Sequence, residues 1–264
     1  MNVTYPDSLG DALEAVGSGA TPLAGGTDLM VETNFGHADP REVVVLRRLE
    51  ELAVWEGSFI GAGVTWRRIE RGGPRAFAQA ARTVGSPQIR NAGTIGGNIG
   101  TASPAGDGLP FLAAVDASIE LASTNASRSL PWDEFFVGVK KTALGADELI
   151  TGVRMPEEMP ERQEFAKIGA RNAMVIATVC CVVTRGDGGA IRVALGSVAP
   201  TPIRARRAEE MISSVSTPTE ADMAEFARLV SEEVTPITDH RSTEGYRRHA
   251  SGVLARRLLE RCLR

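Results

Sequence analysis

The chain has 264 residues, of which 43% are hydrophobic and 23% charged, and its formal net charge at pH 7 is −4. This composition is typical of a globular protein of one or two domains, and the acidic balance disfavours a nucleic-acid binder, whose affinity depends on clustered positive charge. No stretch approaches the roughly 18 apolar residues of a membrane span, and no signal peptide is visible. These features predict a cytoplasmic protein with no membrane span and no nucleic-acid partner.

The three cysteines, Cys180, Cys181 and Cys262, contain no C-x-x-C spacing. The chain alone therefore predicts neither a zinc site nor an iron–sulfur cluster. Cys180 and Cys181 lie in an apolar run, which indicates buried thiols in a reducing compartment.

The first 50 residues predict a small α/β unit. Ser8 can cap a helix, 21–24 is a short buried strand, and a short helix begins at Asp28. The elements predicted after these are strands at 43–46 and 59–63, helices at 75–84 and 109–115, and strands at 118–122, 128–130 and 149–155. The glycine-rich segment from Gly85 to Gly108 is predicted to be a long functional loop.

The second half of the chain has a different pattern. The segment 156–160, which contains acids and prolines, is predicted to be a linker. The elements predicted after it are strands at 164–170, 175–184 and 190–198, a hairpin loop at 185–189, and helices at 205–213, 219–234 and 244–261. This order predicts a second domain, in which helices pack on an antiparallel sheet.

Two loops share one pattern of residues: Ala24-Gly25-Gly26-Thr27-Asp28-Leu29 and Thr94-Ile95-Gly96-Gly97-Asn98-Ile99. Each places two glycines between an apolar and a polar residue. Because glycine lacks a Cβ, a ligand can approach the backbone closely, and consecutive N–H groups can converge on an anion. Two such loops predict a long ligand with a diphosphate in its middle, although each could also be an ordinary turn.

The two loops differ in what they could offer a diphosphate. In the first, the N–H groups of Gly26, Thr27 and Asp28 are expected to face an anion at a helix N-terminus, while the Asp28 carboxylate caps that helix. The second loop has neither the P-loop spacing nor G-x-G-x-x-G, which disfavours P-loop NTPases and Rossmann folds. It is expected to use backbone N–H groups together with the Thr94 hydroxyl and the Asn98 side chain.

Two charged residues have alternative interpretations. Asp107 could accept hydrogen bonds from a ribose or an adenine amine, or it could cap the helix that begins near Leu109. Lys167 lies in a predicted strand, where it could contact a ligand or be an exposed edge lysine. There is no G-x-S-x-G motif, and the histidines have no paired spacing, so no catalytic side chain and no metal site are predicted.

The motifs together resemble those of one family, the FAD-binding medium subunits of the xanthine dehydrogenase family of molybdenum hydroxylases. The similarity runs in order over nearly the whole chain. Besides the first loop, it rests on the segments 86–99, 103–107, 148–156, Lys167-x-x-x-Arg171 and 195–205.

The resemblance implies an α+β fold. Residues 1–160 would form an FAD-binding domain of the vanillyl-alcohol-oxidase type, made of two α/β subdomains at about 1–53 and 54–160. Residues 161–264 would form a C-terminal domain with an antiparallel sheet and helices, and FAD would lie in the cleft between the two domains.

The resemblance also implies where FAD would bind. Its diphosphate would lie against the backbone of the two loops, Asp107 would lie toward the adenosine end, and Ile150 and Lys167 would lie near the flavin. The cofactor-binding residues expected on this basis are Leu23, Ala24, Gly25, Gly26, Thr27, Asp28, Leu29, Thr94, Ile95, Gly96, Gly97, Asn98, Asp107, Ile150 and Lys167.

The function implied is that of an oxidoreductase subunit that relays electrons. A large partner subunit would carry molybdopterin, a small partner would carry [2Fe-2S] clusters, and FAD on this chain would pass electrons to NAD or another acceptor, in a dimer of heterotrimers. Two alternatives stay open: a stand-alone flavin-dependent oxidoreductase that acts directly on a small molecule, and a non-enzymatic nucleotide-binding module.

Overall fold

A three-stranded parallel sheet begins the chain in the computed structural model, which describes all 264 residues. The elements of this first subdomain are β1 (Asn2–Thr4), α1 (Leu9–Gly17), β2 (Thr21–Leu23), α2 (Leu29–Asn34) and β3 (Glu42–Val45). Strand β3 lies between β1 and β2, because its Val43 and Val44 are the buried residues of the sheet. Ser8 caps α1 in a capping box with Asp11, as its position before the apolar period predicts.

An antiparallel five-stranded sheet with helices forms the second subdomain. Its elements are β4 (Trp55–Glu56), β5 (Phe59–Gly61), α3 (Trp66–Gly72), α4 (Arg75–Thr83), α5 (Pro87–Ala92), α6 (Ile95–Thr101), α7 (Leu109–Ala114), β6 (Ser118–Ala122), β7 (Ser127–Pro131), α8 (Trp132–Phe135), β8 (Phe136–Gly138), β9 (Lys141–Thr142) and β10 (Leu149–Arg154). The strand order is β4–β5–β10–β6–β7, and β8 and β9 form a separate hairpin. Phe77 and Phe111 stack in its core with ring centroids 4.3 Å apart.

The prediction of one long loop between Gly85 and Gly108 is wrong, because this segment contains the short helices α5 and α6. Ser86 and Thr94 cap them by accepting hydrogen bonds from backbone N–H groups. Glycine residues lower the helix propensity of α6. Gly96 is nevertheless needed, because the helix lies so close to Ala62 that a Cβ on Gly96 would be 2.5 Å from the Ala62 Cβ. Close packing against Ala62 therefore stabilises a helix that propensity alone would not predict.

The C-terminal domain consists of a four-stranded antiparallel sheet and three helices. Its elements are β11 (Arg162–Ile168), β12 (Val179–Arg185), β13 (Ile191–Gly196), β14 (Ile203–Arg204), α9 (Arg206–Ser213), α10 (Glu220–Glu233) and α11 (Glu244–Leu263). Alternate residues of β12 face opposite sides: Cys181 and Val183 pack among the helices, whereas Cys180 and Val182 join the core of the second subdomain. The sheet is therefore covered on both faces.

The three cysteines, Cys180, Cys181 and Cys262, are all buried, and none forms a disulfide. The longest helix, α11, buries Leu254, Leu258 and Cys262 among other residues, and no helix combines the length and apolar character needed to cross a bilayer.

Candidate cofactor cleft

A cleft with a volume of about 1100 Å³ joins all three structural units. Of the residues predicted to bind the cofactor, all but one line this cleft. The exception is Ile95, whose side chain is 1% exposed and belongs to the core. The fold therefore brings Leu23 of β2, Gly97 of α6 and Lys167 of β11 to a single cavity.

The first diglycine loop packs directly against the end of α5, which leads into the second loop. A Cβ on Gly25 would lie 1.9 Å from the carbonyl oxygen of Ala92 and 2.9 Å from the backbone nitrogen of Gly93. These atoms are backbone and cannot move aside as a flexible side chain can. Glycine at position 25 is therefore required for the first loop to pack against the residues that precede the second loop.

The first loop presents backbone N–H groups that no protein atom uses. The N–H groups of residues 25–28 donate to no acceptor within the chain. Gly26 has φ +68°, a left-handed conformation that favours glycine, and it turns the backbone just before α2. The side chain of Asp28 makes no capping hydrogen bond, contrary to expectation, and its Oδ2 lies 2.9 Å from Thr101 Oγ1 instead. Unused N–H groups before a helix are suited to an anionic ligand.

The second loop is different, because acceptors within the protein use its N–H groups. The acceptors are Val64 O for Ile95 at 3.0 Å, Ala62 O for Gly96 at 2.9 Å, Thr94 Oγ1 for Gly97 at 3.1 Å and Thr94 O for Asn98 at 3.1 Å. The expectation that this loop offers free backbone donors to a diphosphate is therefore wrong.

The second loop instead contributes space and one side chain. A Cβ on Gly97 would meet only Thr94 Oγ1, at 3.3 Å, so this glycine leaves open room beside the first loop. The Oδ1 atom of Asn98 is buried and has no hydrogen-bond partner in the protein. Buried polar atoms are almost always paired, so this oxygen is available to a donor on a bound ligand.

A buried ion pair lies where the cleft meets the C-terminal domain. Lys167 Nζ donates to Asp107 Oδ2 at 2.5 Å, and Thr83 Oγ1 donates to the same oxygen at 3.1 Å. The side chains of Lys167 and Asp107 are only 8% and 7% exposed. Burial raises the pKa of Asp107, against the opposing effect of Lys167 and Thr83.

This pair excludes the interpretation of Asp107 as a helix cap and of Lys167 as an exposed edge lysine. Asp107 makes no capping bond to α7, and Lys167 is not exposed, although it lies on an edge strand. The expectation that Asp107 lies at the adenosine end and Lys167 near the flavin cannot hold for both, since they are in contact. The second oxygen of Asp107, Oδ1, is buried without a partner.

A polar seam between α4 and β11 fixes Lys167 in this position. Three residues of α4, spaced four apart, face β11 and bond to it or to the ion pair beside it. The contacts are Arg75 Nε to Glu164 Oε1 at 2.9 Å, Gln79 Nε2 to Glu164 Oε2 at 2.9 Å, Phe165 N to Gln79 Oε1 at 2.7 Å, and Lys167 Nζ to Thr83 O at 3.3 Å. This seam was not predicted from the sequence, although the four-residue spacing of polar residues on one helix face was a visible signal.

Ile150 lines the cleft beside α6. Its Cδ1 would be 3.5 Å from a Cβ on Gly100, and its side chain, 8% exposed, belongs to the core of the second subdomain. The preceding residue, Leu149, packs in the cluster of the first subdomain with Leu49 and Leu52. Ile150 therefore lies where the first two subdomains meet, whereas Lys167 lies in β11 of the C-terminal domain.

The ionisable groups that line the cleft do not make it cationic. Three are acidic, Asp28, Glu32 and Asp107, and two are basic, Arg47 and Lys167. Arg90, the one cation near the second loop in sequence, is buried, and its Nε bonds Glu70 Oε2 at 3.0 Å. A diphosphate in this cleft therefore depends mainly on backbone N–H groups.

Two known protein families match this chain. The family described as "FAD binding domain in molybdopterin dehydrogenase" matches residues 1–158, and "CO dehydrogenase flavoprotein C-terminal domain" matches residues 164–262. The chain belongs to the FAD-binding medium subunits of the molybdenum hydroxylase family. It is accordingly a flavoprotein subunit of an oxidoreductase.

Individual proteins with similar sequences are also named as FAD-subunits or medium chains of dehydrogenases. The nicotinate dehydrogenase FAD-subunit of Eubacterium barkeri is 36% identical over 208 residues, which cover 72% of this chain and 70% of that protein. The carbon monoxide dehydrogenase medium chain of Hydrogenophaga pseudoflava is 30% identical over 277 residues, covering 96% and 94%. These are similarities in sequence over most or all of the medium subunit.

The fold is also similar to solved structures. A structure of carbon monoxide dehydrogenase from H. pseudoflava, lacking the Mo-pyranopterin moiety of its cofactor, matches with a TM-score of 0.90 at 29% identity, over 100% of this chain and 97% of that one. The predicted α+β fold, with a vanillyl-alcohol-oxidase-type FAD-binding domain and a C-terminal antiparallel sheet with helices, is confirmed.

Three observations indicate that FAD fits the residues of this medium subunit. The cleft is large enough for a dinucleotide. The first loop has four unused N–H groups for an anion, and the buried Oδ1 atoms of Asn98 and Asp107 lack partners. When bound, FAD supplies the redox chemistry, and the protein sets its position and surroundings. No cluster of three His, Cys, Asp or Glu residues in the chain could hold a metal ion.

Proposed function

We propose that this medium subunit relays electrons from [2Fe-2S] clusters on a small partner subunit, through its FAD, to NAD or another acceptor. The observation that carries this proposal is the similarity to carbon monoxide dehydrogenase medium chains over 94% or more of both sequences. A protein that matches a medium chain over its whole length is best explained as one subunit of such a complex. The large partner would carry molybdopterin, and a dimer of heterotrimers in the cytoplasm is the assembly we expect.

The cleft geometry supports one orientation of FAD. The diphosphate would lie against the unused N–H groups of residues 25–28, opposite Gly97. The flavin would extend toward the C-terminal domain, where Asp107 and Lys167 form their pair. The adenosine would lie beside Ile150, near the first subdomain. Asp107 would thus contact the flavin end, and Lys167 would hold its carboxylate in place.

Purification tests the relay directly. The chain should be tagged at its chromosomal locus and the complex isolated under native conditions. We expect it to co-purify with a molybdopterin subunit and a [2Fe-2S] subunit, with one FAD per medium subunit. If the isolated chain with FAD oxidises a small substrate without partners, the stand-alone oxidoreductase is favoured and the relay is contradicted.

Replacing Asp107 with asparagine should weaken FAD binding by about 10- to 100-fold, because a hydrogen bond to a charged group contributes roughly 1.5–3 kcal/mol. The asparagine oxygen must still accept from Lys167 and Thr83, so its NH₂ group would take the place of the unpartnered Oδ1. The ligand would then meet a donor instead of an acceptor. Titration of apoprotein with FAD, followed by flavin fluorescence, measures the change.

The control for this variant is Asp187→Asn, in the exposed β12–β13 hairpin loop. It removes the same charge far from the cleft and should leave FAD affinity unchanged. Equal affinities for wild type and Asp107→Asn would show that Asp107 makes no contact with the cofactor.

A further inference from the structure

The tip of the β8–β9 hairpin reaches across to the first subdomain. Lys140 Nζ donates to Glu32 Oε1 at 2.8 Å, between residues 108 positions apart in the chain. The hydrogen bond from Lys140, followed by that of His37, lowers the pKa of Glu32, and the hydrogen bond to Glu32 raises the pKa of Lys140, so both groups are charged at neutral pH. Of the ion pairs in the chain, this one alone joins residues 1–53 to the remainder.

A left-handed backbone conformation places Lys140 in this position. Lys140 has φ +51°, and its N–H donates at 3.1 Å to the carbonyl oxygen of Ala102, which has φ +46° at the C-terminus of α6. Left-handed conformations cost roughly 1–2 kcal/mol for residues other than glycine, and such strain is concentrated at functional positions. The hairpin tip is thus anchored on α6 while its side chain contacts α2.

The pair spans the two walls of the cofactor cleft. Helix α2 follows the loop with unused N–H groups, and α6 carries Gly97 on the opposite side. Glu32 itself lines the cleft, as do Asp28 and Thr101, whose side chains also meet across it at 2.9 Å. Any motion that separates α2 from α6 would have to break the Glu32–Lys140 contact.

We propose that Glu32 and Lys140 form a clasp that slows the release of FAD, by holding α2 against α6 across the bound diphosphate. Both are positioning residues, and the inference rests on FAD occupying this cleft. The Lys140 and Glu32 side chains are 56% and 30% exposed, so the pair adds little to the stability of the fold. Its effect is expected in the residence time of the cofactor.

The test is the rate of FAD dissociation from the full-length chain, followed by the fluorescence of released FAD. Lys140→Met, Glu32→Gln and the double variant should each release FAD about fivefold faster, the most an exposed pair is expected to contribute. The charge-reversed double variant, Glu32→Lys with Lys140→Glu, should restore slow release. Lys141→Met is the matched control, because this neighbouring lysine is exposed and has no ion-pair partner.

Thermal unfolding of the apoproteins separates the clasp from general destabilisation. We expect unchanged melting temperatures for all variants. The clasp is overturned if the release rates are unchanged, if only one of the two single substitutions accelerates release, or if faster release accompanies a lower apoprotein melting temperature. If the wild-type chain binds no FAD, the cofactor placement also fails; if it binds one FAD and the rates are unchanged, only the clasp fails.

Discussion

Replacing Gly97 with valine should weaken FAD binding about 100-fold, because inserting side-chain atoms into an occupied site costs up to about 3 kcal/mol. The Cβ would project into the room beside the first loop, where only Thr94 Oγ1 lies nearby, at 3.3 Å. Gly97 lies in α6 with no left-handed requirement, and valine has a higher helix propensity than glycine. The apoprotein should therefore fold normally, and titration with FAD should show the loss.

Two variants make this result interpretable. Gly97→Ala adds a single carbon and should lose less affinity than Gly97→Val. Gly245→Val, in α11, also adds a side chain to a helical glycine with open space around it, and should bind FAD like wild type. FAD affinity unchanged in Gly97→Val, with an unchanged fold, would remove the diphosphate from this part of the cleft.

Replacing Gly25 with alanine should affect both folding and cofactor binding. The new Cβ would overlap the Ala92 carbonyl at 1.9 Å, so the first loop and the end of α5 must separate. We expect a loss of about 1–3 kcal/mol in the free energy of unfolding of the apoprotein, the usual cost of overpacking. Because the first loop would move away from α6, FAD binding should also be lost. Denaturant unfolding and FAD titration measure the two effects.

Gly10→Ala is the matched control for this substitution. It lies in α1 of the same subdomain, and its Cβ would have only an ordinary contact of 3.6 Å with Ser8 Oγ. Alanine is the better helix former, so this variant should be at least as stable as wild type. A Gly25→Ala protein with wild-type stability and one bound FAD would contradict the direct contact between the first loop and the end of α5.

The contrast between Gly25 and Gly97 shows what the sequence could predict of this site. Both loops have the same pattern of residues, and in the structure both line one cleft. The pattern could not distinguish their roles, because these depend on acceptors distant in sequence. Ala62 and Val64 occupy the N–H groups of Gly96 and Ile95, whereas nothing occupies those of residues 25–28.

The charged residues of the site were harder to predict for a similar reason. Local periodicity correctly predicted α4 and β11, but not that Gln79 of one and Glu164 of the other would pair. Asp107 and Lys167 were singled out separately, yet their contact joins residues 60 positions apart. The hairpin that presents Lys140 was missed because its strands contain only three and two residues, too few for a visible alternation.

The most direct test of the cofactor placement is hydrogen exchange of the apoprotein and the FAD-bound chain. In the apoprotein, the N–H groups of residues 25–28 should exchange rapidly, whereas those of 95–98 should already be protected by their bonds within the protein. FAD should slow exchange at least about tenfold at residues 25–28, as new hydrogen bonds form there, and leave α10 and α11 unchanged. If FAD binds but residues 25–28 exchange as fast as before, the diphosphate lies elsewhere and the account is wrong.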